Sequence, residues 1–241
     1  MKLLILATLA ILIPGVIPAE PAKPGVPETE IVGHYLTATR EQQASMRGVS
    51  MEVEVDASVL KMKKQGRLHA LRNISKLGKI TYHALGFSGD DTVKKEVIAR
   101  YLSAETQERT GPSIAITPEN YKFKYKGLED RDGREVYIFH LTPRKKLVGL
   151  FKGEIWIDSA TYMPVRESGR LVKTPSIFLK NVDFVRFYDI KDGVAIPSAM
   201  ISRVEARFYG TVEMSINYTH LTKETEADAV AAATSSPIQP H

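Results

Sequence analysis

The stretch that most constrains the fold is residues 153–172, which carries the pattern of a β-hairpin. Ile155 and Ile157 alternate with polar or amphipathic neighbours, and successive side chains of a strand point to opposite faces. Turn-forming residues 158–161 follow, with Asp and Thr oxygens that can bond nearby backbone amides. Pro164 has no N–H to donate, so it marks the start or the edge of the return strand. The segment predicts two paired antiparallel strands.

The same two-residue alternation recurs along most of the chain. Met51, Val53 and Val55, for example, alternate with acidic residues, as in a half-buried strand. So many alternating segments predict one large antiparallel sheet of roughly 8–11 strands, which twists and curls without closing. Besides the hairpin, the predicted strands are 50–57, 65–72, 80–87, 121–126, 135–141, 177–190, 195–207 and 211–219.

Two segments instead have helical periodicity. From Thr29 onward, apolar residues including Ile31 and Tyr35 recur at three- and four-residue steps, and Gly48 is a plausible end. Residues 89–92 supply capping side chains for a second helix, which extends to about residue 107. Because such helices have only the sheet to pack against, we expect them to cover one face or an opening. The fold class is α+β, mainly antiparallel β.

The N-terminus predicts export. Residues 1–19 combine a positive start, an apolar run too short to span a bilayer and a cleavage position after Ala19, as in a signal peptide. A retained anchor is the alternative. The chain has no cysteine, so it has no disulfide and no lipid-modified N-terminal cysteine. The sequence therefore predicts a soluble protein of the periplasm.

Composition indicates one globular domain. Of the 241 residues, 43% are hydrophobic and 25% are charged, which is ordinary for a soluble domain. We assign residues 20–28 to a Pro-rich linker, 29–222 to the domain and 223–241 to a disordered tail. The net charge of +5 suits an anionic membrane surface or an acidic partner, but solvated lysines also explain it.

No motif indicates catalysis or a cofactor. The six histidines are scattered, and His69 and His83 on neighbouring strands lack a third metal ligand. There is no P-loop and no dinucleotide fingerprint. Lysines and aromatics alternate over residues 122–126, yet they fall on opposite faces, unlike in a nucleic-acid sheet. We therefore expect no catalytic residue, metal, cofactor or nucleic acid; a polar cluster in a cleft around His69, His83 or His140 would revive the enzyme hypothesis.

The geometry itself indicates a binding surface. An unclosed, curled sheet has a concave apolar face that two helices are too few to fill, so either loops or a lipid-like ligand must occupy it. Burial of an acyl chain contributes about 0.8 kcal/mol per methylene and needs no catalytic residue. A fully packed core is the alternative, and the sequence leaves both open.

A known family has the same order of features. After the signal peptide and the first helix come an alternating strand, Gln65-Gly-x-Leu-x-x-x-Arg72, and later 153–158 followed by Thr161-Tyr-Met-Pro164. Over roughly residues 30–221 this order resembles the LolA-like outer-membrane lipoprotein-sorting proteins. The resemblance implies a periplasmic carrier with an unclosed barrel, lidded by helices, whose hydrophobic cavity accepts the acyl chains of lipoproteins.

The resemblance also implies roles for particular residues. Arg72 matches an arginine that helps to hold the lid shut in the carriers. The sequence departs from the family at Asn73, where proline is frequent, and at residues 92–107, where a helix replaces an aromatic strand. We expect the cavity to be lined by Met51, Val53, Val55, Leu68, Tyr82, Ile155, Trp156, Ile157, Phe184, Met200 and Met214.

Two functions follow from this resemblance. The first is a carrier that binds lipid or lipoprotein acyl chains and releases them to a membrane acceptor or its associated protein, peripheral to the membrane. Release requires only a difference in affinity between open and closed states. The alternative is an envelope-stress module, resembling the sigma-factor regulators of the same fold, that acts through a protein interface.

Overall fold

The structure, a computed structural model, describes residues 26–106 and 113–223. The predicted signal peptide 1–19, residues 20–25 of the linker and residues 224–241 of the predicted tail lie outside the described residues. Those assignments stay predictions.

The described chain forms one antiparallel sheet of ten strands, ordered β3-β2-β1-β10-β9-β8-β7-β6-β5-β4. Neighbours in the sheet are neighbours in the chain except at the β1–β10 pair. Because β3 and β4 lie at opposite edges, the sheet does not close into a barrel, and the predicted unclosed antiparallel fold is confirmed. The strands are β1 (Val49–Val59), β2 (Lys64–Ile74), β3 (Ile80–Gly89), β4 (Tyr121–Arg131), β5 (Arg134–Pro143), β6 (Phe151–Asp158), β7 (Pro164–Leu171), β8 (Leu179–Lys191), β9 (Val194–Ala206) and β10 (Gly210–Lys223).

Two helices accompany the sheet, as predicted. The first, α1, is Glu28–Ser45. The second, α2, covers residues 91–106 in three contiguous parts: Asp91–Val93, a π-helical stretch Lys94–Ile98, and Ala99–Thr106. The carboxylate of Asp90 caps α2 by accepting hydrogen bonds from the backbone amides of Thr92, at 2.8 Å, and Val93, at 3.4 Å. A short 3-10 turn, Leu60–Met62, joins β1 to β2.

The strand register gives the sheet a single inner face, which we define as the face toward the helices. One row of directly paired residues crosses all ten strands, and a residue keeps its face when it pairs across strands. The row is apolar toward both edges and charged at its centre. It consists of Phe87, Leu68, Val55, Ile216, Met200, Arg186, Glu167, Ile155, Phe139 and Tyr125.

The inner face is packed as two separate cores. The α2 cluster joins β1, β2 and β10 to α2, with Val55 and Ile98 almost fully buried. The α1 cluster joins β5 and β6 to α1, with Ile31, Phe139 and Ile155 fully buried. Each such side chain contributes about 1.5–3 kcal/mol of hydrophobic stabilisation. Each helix thus has its main apolar contacts with one half of the sheet, although α1 also reaches β9, where Gln42 Nε2 donates to the Ala195 carbonyl oxygen at 2.7 Å.

The predicted hairpin is present as β6 and β7. Its turn is organised by the Asp158 carboxylate, which accepts bonds from the Thr161 amide and hydroxyl, each at 2.7 Å. The hairpin also brings Gly153 and Gly169 into direct cross-strand pairing. A Cβ on Gly153 would lie 1.9 Å from the Ser168 carbonyl oxygen, so no side chain fits there.

We predict that Gly153→Ala lowers the free energy of unfolding by about 1–3 kcal/mol or more, because the added methyl forces β6 and β7 apart. Urea denaturation measures the change. Gly86→Ala is the matched control, since Gly86 is also in a strand and a Cβ there meets no atom within 4 Å. Equal midpoints for the two variants would contradict the close approach.

Candidate functional site

The structure places ten of the eleven predicted cavity residues on the inner face, in the two clusters. Most are almost fully buried under the helices, and Tyr82 is partly buried at the edge of the α2 cluster. Their role in ligand binding stays a prediction. The α2 cluster holds Met51, Val53, Val55, Leu68, Met200 and Met214, and the α1 cluster holds Ile155, Ile157 and Phe184.

Trp156 is the exception, and its assignment to the cavity lining is wrong. It lies between Ile155 and Ile157, which face inward, so its own side chain is on the outer face. There its ring is flanked by the guanidinium groups of Arg166, at 4.4 Å, and Arg131, at 5.2 Å. The alternation of residues 154–158 already contained this information.

Arg72 is buried and connects the sheet to α2. Its Nη2 lies 3.0 Å from Oε1 of Glu105, in the last turn of α2, and its Nε donates to the Tyr82 hydroxyl at 3.1 Å. The Tyr82 hydroxyl in turn donates to Oε2 of Glu105 at 2.6 Å. We call Arg72, Tyr82 and Glu105 the latch. The predicted latch role of Arg72 stays a prediction, but its contacts are those that such a role requires.

The charges of the latch support one another. Burial favours the neutral form of Arg72, but attraction to the Glu105 carboxylate outweighs this effect of burial, so the pKa of Arg72 is raised. Burial, and then the Glu105 charge, raises the pKa of Tyr82 well above its usual value, so the phenol stays protonated and donates. Sequence analysis missed Glu105. Its position four residues after Tyr101, on the apolar side of α2, was the available signal.

A second ion pair lies at the centre of the inner face, between the two clusters. Arg186 Nη1 is 3.4 Å from Glu167 Oε2, and the guanidinium also lies 4.9 Å from the Phe184 ring. Desolvation by the surrounding protein opposes the charge on Arg186, and Glu167 more than compensates and raises its pKa. Yet 48% of the Arg186 side chain is exposed, against 10% for Glu167. We call the partly solvated space around Arg186, between the two clusters, the recess.

Four tyrosines lie around this recess, two on the sheet and one on each helix. Desolvation raises the pKa of all four, so their hydroxyls stay neutral. Glu167 raises the pKa of Tyr35 and Tyr188 further, whereas the charge of Arg186 slightly opposes the rise in the pKa of Tyr101. The four are Tyr35 of α1, Tyr101 of α2, Tyr188 of β8 and Tyr218 of β10.

The groups around the recess combine polar donors with apolar surface, as the binding of an amphipathic ligand would require. A fixed guanidinium and neutral phenols offer donors for a polar head, and aliphatic side chains lie on both sides. The histidines do not converge on it: His69, His83 and His140 are on the outer face, and His69 pairs with Glu52 at 3.2 Å. Within residues 26–106 and 113–223, no group of three or more His, Asp or Glu side chains is placed to bind a metal.

Comparisons with known proteins return only distant structures. No protein-family model matches the sequence, and no curated protein matches it. A solved structure of a DUF1329 family protein from Desulfovibrio piger matches with a TM-score of 0.42 and 17% identity, over 81% of this chain and 94% of that one. A LolA superfamily protein from Nitrosomonas europaea matches with a TM-score of 0.40 and 12% identity, over 86% and 97%.

A third match is the MucA/MucB complex of Pseudomonas aeruginosa, with a TM-score of 0.28 and 10% identity, over 79% of this chain and 99% of that one. The LolA superfamily, which the sequence resembles, is thus among the structures that match. Among the described helices, none is both long and apolar enough to cross a membrane.

We predict that Arg72→Met loosens α2, because Glu105 then loses its charged partner. Hydrogen exchange should quicken selectively in residues 91–106 relative to α1, and the free energy of unfolding should fall by about 2–4 kcal/mol. Arg67→Met is the control: Arg67 lies on the same strand and pairs with Asp56 at 2.6 Å, but on the exposed outer face. Such a surface pair contributes little. If both variants exchange α2 amides equally fast, Arg72 is not a latch.

Proposed function

We propose that this protein is a periplasmic carrier that holds the acyl chain of a lipid or lipoprotein against its inner face and releases it to a membrane acceptor. The observation that carries the proposal is that the charged, partly solvent-exposed side chain of Arg186 lies between two buried apolar clusters. A core built only for stability gains little from a charged pair, because desolvation offsets the attraction. A polar head beside an acyl chain gives this pair a use.

The α2 helix is the element that we propose moves to admit the chain. Its buried contacts with the sheet centre on Val93 and Ile98, with Val97, Tyr101 and Leu102 partly buried. Their displacement costs roughly 5–10 kcal/mol, at 1.5–3 kcal/mol for each fully buried side chain. An acyl chain of about a dozen methylenes regains roughly 10 kcal/mol on the same surface. The two terms are comparable, so exchange needs no external energy.

Release of the acyl chain then depends on whether the membrane acceptor favours the open or the closed position of α2. A ligand shifts an equilibrium only by its difference in affinity between the states. The latch fixes the position of α2 in the closed state, and the π-helical stretch Lys94–Ile98 is an irregularity of the kind that occurs at functional sites. An acceptor that competes for the acyl chain allows α2 to close again over the α2 cluster. The predicted signal peptide supports action in the periplasm.

The test is ligand capture by the protein exported from its full-length gene into a bacterial periplasm. We expect native mass spectrometry to detect bound lipid or acylated peptide, which organic extraction then identifies. The apo protein should bind a fluorescent fatty acid. A clean apo mass together with no probe uptake would mean a filled inner face, and the regulatory alternative, with a protein partner, would replace the carrier.

We predict that the double variant Arg186→Met with Glu167→Gln binds the fatty-acid probe about tenfold more weakly, because one charge-assisted contact to the carboxylate is lost. Neutralising both partners avoids an unpaired buried charge. The matched control is Arg203→Met with Glu213→Gln, an exposed pair at 2.8 Å. Equal affinity in the two double variants would remove Arg186 from the site.

A further inference from the structure

One end of the sheet carries four consecutive connections that together form a second surface. They join β1 to β2 (residues 60–63), β9 to β10 (207–209), β7 to β8 (172–178) and β5 to β6 (144–150). Because these strands are adjacent and antiparallel, the four connections stand side by side at the same end. At about 4.8 Å between strands, eight strands span roughly 35 Å. We call these four connections the basic end.

The basic end has positive charge only. Its connections contain seven Lys or Arg and no Asp or Glu. All seven side chains are exposed, and none forms an ion pair with another described residue. Three acids flank these connections: Asp90, which is paired with Lys64 at 3.1 Å, Asp91 at the start of α2, and Glu119 just before β4. The seven are Lys61, Lys63, Arg144, Lys145, Lys146, Lys173 and Arg207.

The same connections expose large apolar side chains. Ile177 and Phe208 are 79% and 69% exposed. The rings of Phe178 and Phe208 lie 5.6 Å apart, so two separate connections share one aromatic tip. The Arg207 amide donates to the Phe178 carbonyl oxygen at 2.8 Å and holds the tip together. Leu60, Met62 and Val148 are also exposed along this end.

The opposite end of the sheet is different. Its strand-to-strand connections, residues 75–79, 132–133, 159–163 and 192–193, contain two lysines and two aspartates. Among these connections Leu77 is the exposed large aliphatic residue. The two ends therefore differ in charge and in exposed apolar side chains. An overall positive net charge spread evenly over the surface would not produce this difference.

We propose that the basic end docks on an anionic bilayer surface, with Ile177, Phe178 and Phe208 entering the head-group region. Basic residues are attracted to an anionic leaflet, and apolar tips bury in the boundary between head groups and acyl chains. The charge of the four connections is complementary to such a surface. The apolar groups project from the ends of connections, which suits a soft interface that they can enter. This surface is separate from the recess and does not depend on the cargo.

The test is flotation of the protein, exported from its full-length gene, with vesicles of phosphatidylcholine alone or with roughly one third phosphatidylglycerol. We expect binding only to the anionic vesicles, weakening as salt is raised. The variants Lys145→Glu with Lys146→Glu, and Phe178→Ser with Phe208→Ser, should each bind about tenfold more weakly. All four positions are exposed, so the fold tolerates the changes.

The opposite end supplies matched controls. One control is Leu77→Ser, because Leu77 is 93% exposed. The other is Lys76→Glu with Lys79→Glu, which makes the same charge change as the double variant at the basic end. Both controls should bind anionic vesicles as the parent does. No preference for anionic vesicles, an equal loss in the controls, or undiminished binding by the basic-end variants would each overturn the proposal. The last outcome would place membrane binding elsewhere in the chain, such as its N-terminal apolar run.

Discussion

The structure depends on the pairing of β1 with β10, the one place where strands distant in the chain are neighbours. This pairing joins the three N-terminal strands to the seven that follow. It sets Val53 and Val55 opposite Tyr218 and Ile216, and so continues the inner face from one half to the other. Long-range pairing is entropically costly to form, and the burial of the α2 cluster is what compensates for it.

Because the sheet stays open, its inner face is wider than one helix can cover. Each helix therefore packs mainly on its own cluster. The strip of inner face between the two clusters is charged and contains Arg186 and Glu167. The latch at Arg72 ties α2 to the first half of the sheet by polar contacts. Polar interactions of this kind fix geometry more than they add stability. The position of α2 on the sheet is thus well defined without being deeply favoured.

The recess and the basic end would serve separate tasks in the proposed carrier. The recess lies between the helices on the inner face, whereas the basic end is formed by connections at the ends of the strands. A charge change at Lys145 therefore leaves Arg186 and its tyrosines untouched, and the reverse also holds. Cargo binding and membrane docking can be disabled separately, which makes the two proposals independent.

The sequence by itself determined the local elements: the alternation of Ile155 and Ile157, the capping at Asp90 and the turn at Asp158 depend on neighbours within a few residues. The resemblance also singled out Arg72. Its partner Glu105, 33 residues away, and the Arg186–Glu167 pair were missed, because strand periodicity tells which face a side chain takes but not which residue lies beside it. The basic end was missed for the same reason. Its four connections lie far apart in the chain, and only the strand order brings them together.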